Sequence, residues 1–170
     1  MVADDMPLAA VLQAYDQRVS LDLSAADMPC LLVPPADLIA LCRQLRDAPA
    51  LRFDFLSDIC GVDIFPQTPR FMLVYHLFSI PHKRRLRLKC RLSEQASAPT
   101  LTPVWPTANW HEREAYDMYG ITFDGHPDLR RIYMWEGFDG FPMRRDFPLR
   151  GYKDDYNPMG AKHPPDEAAG

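Results

Sequence analysis

Eight residues alternate without error. Arg85, Arg87, Lys89 and Arg91 are cationic, and Leu86, Leu88, Cys90 and Leu92 between and after them are apolar. Successive side chains leave a strand on opposite faces, so this pattern predicts a strand with one face on a core. A nearly continuous apolar run precedes it, Phe71-Met72-Leu73-Val74-Tyr75-His76-Leu77-Phe78, reaching Ile80. Such a run suits a central strand covered on both sides. Only residues 81–84, with the turn Pro81-His82-Lys83, separate the two, so they are expected to form an antiparallel hairpin at the heart of a sheet.

The other elements are read around that hairpin. Pro7 followed by Leu8, Val11, Leu12, Tyr15 and Val19 predicts a short amphipathic helix. Cys30 to Val33 predicts a brief strand stopped by Pro34-Pro35. A second helix is expected over 36–47, with Leu38, Leu41, Cys42 and Leu45 on one face and Pro49 ending it. Arg52 to Ile59, ending near Gly61, is a third strand candidate, and 93–99 reads as a polar loop. A third helix is expected from Asn109 to Tyr119, with Asn109 as cap, Glu112 reaching back to it, and Gly120 as the stop. Beyond Gly120 no period is sustained. Helices, a mainly antiparallel sheet with a packed helix, and a long extended C-terminal tail make the fold class α+β. No repeat is seen, and the expected organisation is one domain over 1–150 with a Pro-rich tail over 151–170.

Composition limits the function classes. The chain has 170 residues, 47% hydrophobic and 25% charged, enough to form a core without disulfides or a structural metal. Its 19 basic and 23 acidic residues leave a formal charge of −4, which speaks against a dedicated nucleic-acid binder. The strand from Lys83 to Arg91 is the best nucleic-acid candidate, but it lacks interleaved aromatics for base stacking, so a solvated face or one docked on an acidic partner is expected. No apolar run approaches the roughly 20 residues of a membrane span. The start, Met1-Val2-Ala3-Asp4-Asp5, lacks the basic region of a targeting peptide, so a soluble cytoplasmic chain is expected. Cys30, Cys42, Cys60 and Cys90 form no C-x-x-C pair and read as reduced thiols.

The search for chemistry returns mostly exclusions. His111-Glu112 begins an H-E-x-x-H pattern, but Ala115 stands where the second histidine must be. His76, His82, His111, His126 and His163 are scattered, and no phosphate loop or G-x-S-x-G elbow occurs. Glu112, Glu114 and Asp117 could serve acid–base chemistry. The neighbouring Arg113, Arg130 and Arg131 make a charged network that fixes the fold the stronger reading, with Glu114 and Asp117 on one helical face. From Tyr119 to Arg150, aromatics (Phe123, Tyr133, Trp135, Phe138, Phe141, Phe147) alternate with Arg130, Arg131, Arg144, Arg145 and Arg150, residue types enriched at interface cores. This points to a permanent protein partner.

The segment Glu112-Arg113-Glu114-Ala115-Tyr116-Asp117-Met118-Tyr119-Gly120-Ile121, continuing through Phe123-Asp124-Gly125-His126-Pro127-Asp128-Leu129-Arg130-Arg131-Ile132, resembles the signature of the thirty-kilodalton, or C-type, subunit family of proton-pumping NADH:quinone oxidoreductase, respiratory complex I. Tyr75-His76-Leu77 with Ser79, Trp105-Pro106 with Ala108-Asn109-Trp110, and Pro142-Met143-Arg144-Arg145-Asp146-Phe147-Pro148-Leu149 also resemble it. Met143 and Arg145 stand where the family usually has Leu and Lys. The resemblance implies an α+β domain in the hydrophilic arm, peripheral to the cytoplasmic face of the bacterial inner membrane. It implies docking on the D-type subunit of complex I, which helps form the quinone pocket, and contact with other hydrophilic-arm subunits. It implies that FMN and iron–sulfur clusters reside in partner subunits, with none in this chain and no catalytic residue here. Structural roles are then expected for Glu112, Arg113, Glu114, Asp117, Gly120, His126, Pro127, Arg130 and Arg131, and partner docking for Arg144, Arg145, Asp146, Phe147, Pro148 and Leu149. The equivalent subunit of a membrane-bound nickel–iron hydrogenase or formate hydrogenlyase-like complex is the first alternative, and a basic-sheet RNA-binding module the remote one.

Overall fold

The computed structural model describes residues 18–22 and 27–162. A five-stranded sheet carries the fold, with β1 (Ser20–Leu21), β2 (Cys30–Leu32), β3 (Phe55–Asp63), β4 (Phe71–Ser79) and β5 (Arg84–Leu92) in the order β1-β2-β5-β4-β3. The hairpin expected from the alternating strand is present, and β4 is antiparallel to both its neighbours. Only β2 runs parallel to β5. A 3₁₀ turn over Pro35–Asp37 leads into α1 (Leu38–Asp47). After β5 come the short β6 (Ala98–Pro99), then α2 (Ala108–Tyr119), then β7 (Phe123–Asp124), which pairs in parallel with β6. The α+β class therefore holds.

The core lies on one face of the sheet. Leu73, Tyr75 and Leu77 of β4, Leu86, Leu88 and Leu92 of β5, and Leu38, Leu41 and Leu45 of α1 share one cluster and are essentially inaccessible. Each such leucine contributes about 1.5–3 kcal/mol by leaving water. Tyr75 stands at the centre, opposite Ile59 on one side and Leu88 on the other. Its hydroxyl is buried without a hydrogen-bond partner among the described residues.

Several boundaries differ from the sequence reading. The expected N-terminal helix falls mostly outside the described residues, and Val19, its last position, is a buried bend residue before β1. The third strand starts at Phe55 instead of Arg52 because Arg52 has positive φ, and the Asp54 N–H closes back on its carbonyl. That strand then runs through Gly61 instead of ending there. A side chain at 61 would meet the Tyr119 ring of α2 at 2.6 Å, so glycine allows the helix to lie close on β3. Helix α2 begins at Ala108 with no side-chain cap bond, so the expected Asn109–Glu112 capping pair is not formed. Of the expected extended tail, whose residues 163–170 lie outside the described ones, the stretch 150–161 does not lie as an extended strip. It turns back through an isolated bridge between Tyr152 and Ala161, braced by the Asn157 amide donating to the carbonyls of Arg150 and Tyr152.

Candidate functional site

Helix α2 gathers the charged residues that the sequence singled out. Gly120 ends it in the left-handed region at φ 74°, with its N–H donating to the Tyr116 carbonyl. That turn sends the chain back past the helix, and residues 131–134 wrap around Asp117. The Asp117 carboxylate is fully buried. Its Oδ2 accepts the N–H groups of Ile132, Tyr133 and Met134 at 2.9, 2.7 and 3.1 Å, and Oδ1 meets Arg131 Nη1 at 3.2 Å. Burial alone would raise its pKa, but the three amides and the guanidinium outweigh it, and the carboxyl is held below its ordinary range. Arg131 also donates to the Gly140 carbonyl and lies over the Phe138 and Phe141 rings.

Glu112 occupies a second buried position. Its Oε2 accepts from the Thr100 hydroxyl, and its Oε1 accepts the Leu101 N–H at 2.7 Å. The carboxyl thus ties α2 to the loop before it, in place of the capping role expected of it. Burial pushes its pKa up to about 7, against the pull of those two bonds. The His126 ring lies 3.9 Å away and is itself buried. Its Nδ1 accepts the Asp128 N–H, so Nε2 carries the proton and donates to the Asn109 carbonyl at 3.2 Å. Pro127 is exposed in the turn that follows. Arg113 is buried over Trp110 and donates to the Arg130 carbonyl.

The expected network of these acids and arginines is therefore only partly assembled. Asp117 and Arg131 meet, but Glu114 is exposed, and Arg130 turns outward to Asp128. Three positions apart on a helix, Glu114 and Asp117 straddle the edge of its buried side instead of sharing a face.

A larger hub has no counterpart in the sequence reading. Arg70, just before β4, is buried and bonds three carboxylates: Asp63 at 2.8 Å, Glu94 at 2.8 Å and Asp146 at 2.7 Å. Asp63 also accepts the Arg145 and Phe65 N–H groups. Burial opposes its ionisation, but Arg70 and these amides hold its pKa down to about 2. Arg144 donates to the Tyr119 carbonyl at 2.6 Å, reaches Glu94, and packs over Phe71 and Phe141. Arg145 bonds the Phe65 carbonyl through Nη1. Phe147 stacks on Phe138 and meets Tyr152 edge to face. So Arg144, Arg145, Asp146 and Phe147, expected to face a partner, fasten residues 141–147 to their own domain. An arginine among aromatics and carboxylates is as satisfied inside one chain as across an interface. Pro148 is half-buried, while Arg145, Asp146 and Leu149 are exposed.

The face of the sheet opposite the core carries the remaining titratable cluster. His76 stands between Asp58 and Arg87, and Asp58, Cys60 and His76 bring their potential ligand atoms within 4.8 Å of one another. These atoms are already committed. Arg87 Nε donates to His76 Nε2 at 3.1 Å, which places the ring proton on Nδ1, and the Cys60 thiol donates to Asp58. Burial, that hydrogen bond and the Asp58 charge push the Cys60 pKa up to about 12. A cation here would have to displace two protons beside a guanidinium, so the trio reads as a hydrogen-bonded cluster. The outward basic strand is partly covered by the chain itself, with Arg87 paired to Asp27 at 2.8 Å and Lys89 to Asp22 at 2.7 Å. Among the described residues no helix is long and apolar enough to cross a membrane.

Comparison with known proteins decides what this arrangement belongs to. The family model described as "Respiratory-chain NADH dehydrogenase, 30 Kd subunit" matches residues 31–153. The chain belongs to this family. The match spans the Asp117, Glu112, Arg70 and His76 clusters, from β2 to the start of the C-terminal loop. The second C-type NADH-quinone oxidoreductase subunit of Rhizobium meliloti (strain 1021) is 60% identical, over 93% of this chain and 87% of that one. Its counterpart in Rhizobium etli (strain CIAT 652) is 58% identical, over 92% and 84%. Among solved structures, a chain of the membrane-bound sulfane sulfur reductase, an archaeal respiratory membrane complex, has a TM-score of 0.70 with 85% of each chain covered. At 20% identity that likeness shows a shared fold alone. The thirty-kilodalton signature thus coincides with α2, its stop at Gly120, and the turn that returns Arg131 to Asp117.

Proposed function

We propose that the chain is a structural, cofactor-free subunit of the peripheral arm of a proton-translocating NADH:quinone oxidoreductase, held at the cytoplasmic face of the membrane. It docks on the D-type subunit beside the quinone pocket. Electrons pass from NADH through FMN and iron–sulfur clusters of other subunits to quinone. The observation that carries this reading is how the family's acidic signature is used. Asp117 and Glu112 are buried and bonded to the chain's own amides, hydroxyl and guanidinium, so they act as internal fasteners instead of presenting acids to a substrate. Docking then falls to the side chains left outside: Tyr133, Trp135, Met143, Leu149, Tyr156 and Met159, all exposed and all carried after α2. Exposed apolar groups in this number on one stretch mark an interaction surface.

An affinity tag on the chain, followed by purification from detergent-solubilised membranes and mass spectrometry, tests the assignment. The expected partner set is the subunits of an NADH:quinone oxidoreductase in fixed proportion. Recovery with hydrogenase or other oxidoreductase subunits, or recovery of the chain alone, would overturn it.

A further inference from the structure

The C-terminal segment builds a cavity of about 240 Å3 between residues 135–139 and 151–157. That is about eight times the roughly 30 Å3 occupied by one water molecule, so one long side chain fits. Its walls are aromatic: Trp135, Phe138, Tyr152 and Tyr156. The rings brace each other, with Trp135 perpendicular to Phe138 at 4.8 Å and tilted against Tyr156 at 5.8 Å. Its charged lining is acidic: Asp139, Asp154 and Asp155, with no Lys, Arg or His lining it among the described residues. Asp154 Oδ1 accepts the N–H groups of Tyr156 and Asn157, which fixes that rim. Asp155 is exposed.

We propose that this cavity receives an arginine side chain of the subunit on which the chain docks. The inference rests on the docking reading above and names the chemistry of one contact within it. Aromatic faces present negative charge to a cation, and the rim carboxylates add to it. A purely apolar segment would crowd against Asp154 and Asp155 and bring them no counter-charge. A guanidinium suits the site better than an ammonium because it stacks flat on rings, forks to a carboxylate and is less strongly hydrated. The same pairing of ring and guanidinium recurs within the chain, where Arg144 lies 4.7 Å from the Phe141 centroid and Arg113 lies 4.7 Å from that of Trp110.

The test uses the assembled enzyme carrying the full chain with a photoreactive p-benzoylphenylalanine at position 156. Irradiation and peptide mapping should place the cross-link on another subunit, within a few residues of an arginine. Cross-links confined to this chain, or to a segment without arginine, would overturn the proposal. In parallel, Asp155→Asn and Trp135→Leu should each lower several-fold the salt concentration at which half of the chain is lost from the complex; Asp155→Asn leaves the melting temperature of the isolated chain unchanged, and Trp135→Leu lowers it only by the loss of its two ring contacts. Retention equal to the parent at every salt concentration would also overturn it. A chain that enters the complex normally but gives either negative result leaves the family role intact. Absence of the chain from the complex would remove that role, and this proposal with it.

Discussion

Replacing Asp117 by alanine removes one carboxylate and strands four donors. Three are the backbone N–H groups of Ile132, Tyr133 and Met134, and the fourth is the Arg131 guanidinium. Removing one partner of a buried ion pair costs about 3–5 kcal/mol. Residues 131–134 are half-buried to exposed and can take up water on relaxing, so the lower end applies, about 3 kcal/mol. For a chain of this size each kcal/mol moves the melting temperature by roughly 2–4 °C, which gives a fall of about 6–12 °C. The sign of the pH dependence follows from the lowered pKa. The parent's Asp117 contribution is present above the unfolded carboxyl value and is lost as pH falls through the folded one, so the gap between parent and variant should close in acid. Glu114→Gln, on the exposed side of α2, should change the melting temperature by no more than about 1 kcal/mol allows. Thermal unfolding followed by circular dichroism measures both. An Asp117→Ala melting temperature within 2 °C of the parent (less than the roughly 2–4 °C per kcal/mol expected), or a Glu114→Gln loss of equal size, would refute the reasoning.

Three further outcomes follow from other positions. Glu112 ionises only above its ordinary range, at about 7, so its contribution is full below about 4.5 and falls as pH rises toward 7. The difference corresponds to roughly 3 kcal/mol at 1.36 kcal/mol per pH unit, and Glu112→Gln should flatten the decline in melting temperature between pH 5 and 8; parallel curves would show that another group titrates. Arg70→Met leaves Asp63 buried and unpaired and releases Asp146. It should destabilise by about 3–5 kcal/mol and open residues 141–147 to limited proteolysis, and a cleavage pattern like the parent's would contradict the hub. Tyr75→Phe removes a buried hydroxyl without a partner and should stabilise by about 1 kcal/mol, read as a denaturation midpoint shifted upward, whereas a lower midpoint would reveal a partner for that hydroxyl.

The sheet was legible because two of its three longest strands have strong, opposite signatures, one alternating and one continuous. Gly120 was legible as a helix stop because its left-handed conformation is one that other residues resist. The Asp117–Arg131 pair was anticipated from nearness in sequence, but nearness alone wrongly added Glu114 and Arg130. Glu112 was misplaced because a glutamate early in a helix ordinarily reaches back to its cap. Its true partners, Thr100 and Leu101, lie in a loop with no periodic signal. The Arg70 hub spans positions 63, 70, 94 and 146, and no local pattern joins residues so far apart. The contacts of Arg144 with Phe71 and Phe141 were not legible, because composition does not distinguish arginine stacked within a chain from arginine stacked across two.

The central claim is that this chain supports the enzyme by its structure and takes no part in its chemistry. Turnover per assembled complex in membranes from cells carrying Asp117→Asn tests it most directly, with NADH:quinone activity divided by the amount of complex measured by mass spectrometry. The account predicts that the amount of complex falls while turnover per complex stays equal to the parent's. A normal amount of complex with turnover lost would contradict it and make Asp117 a participant in the reaction.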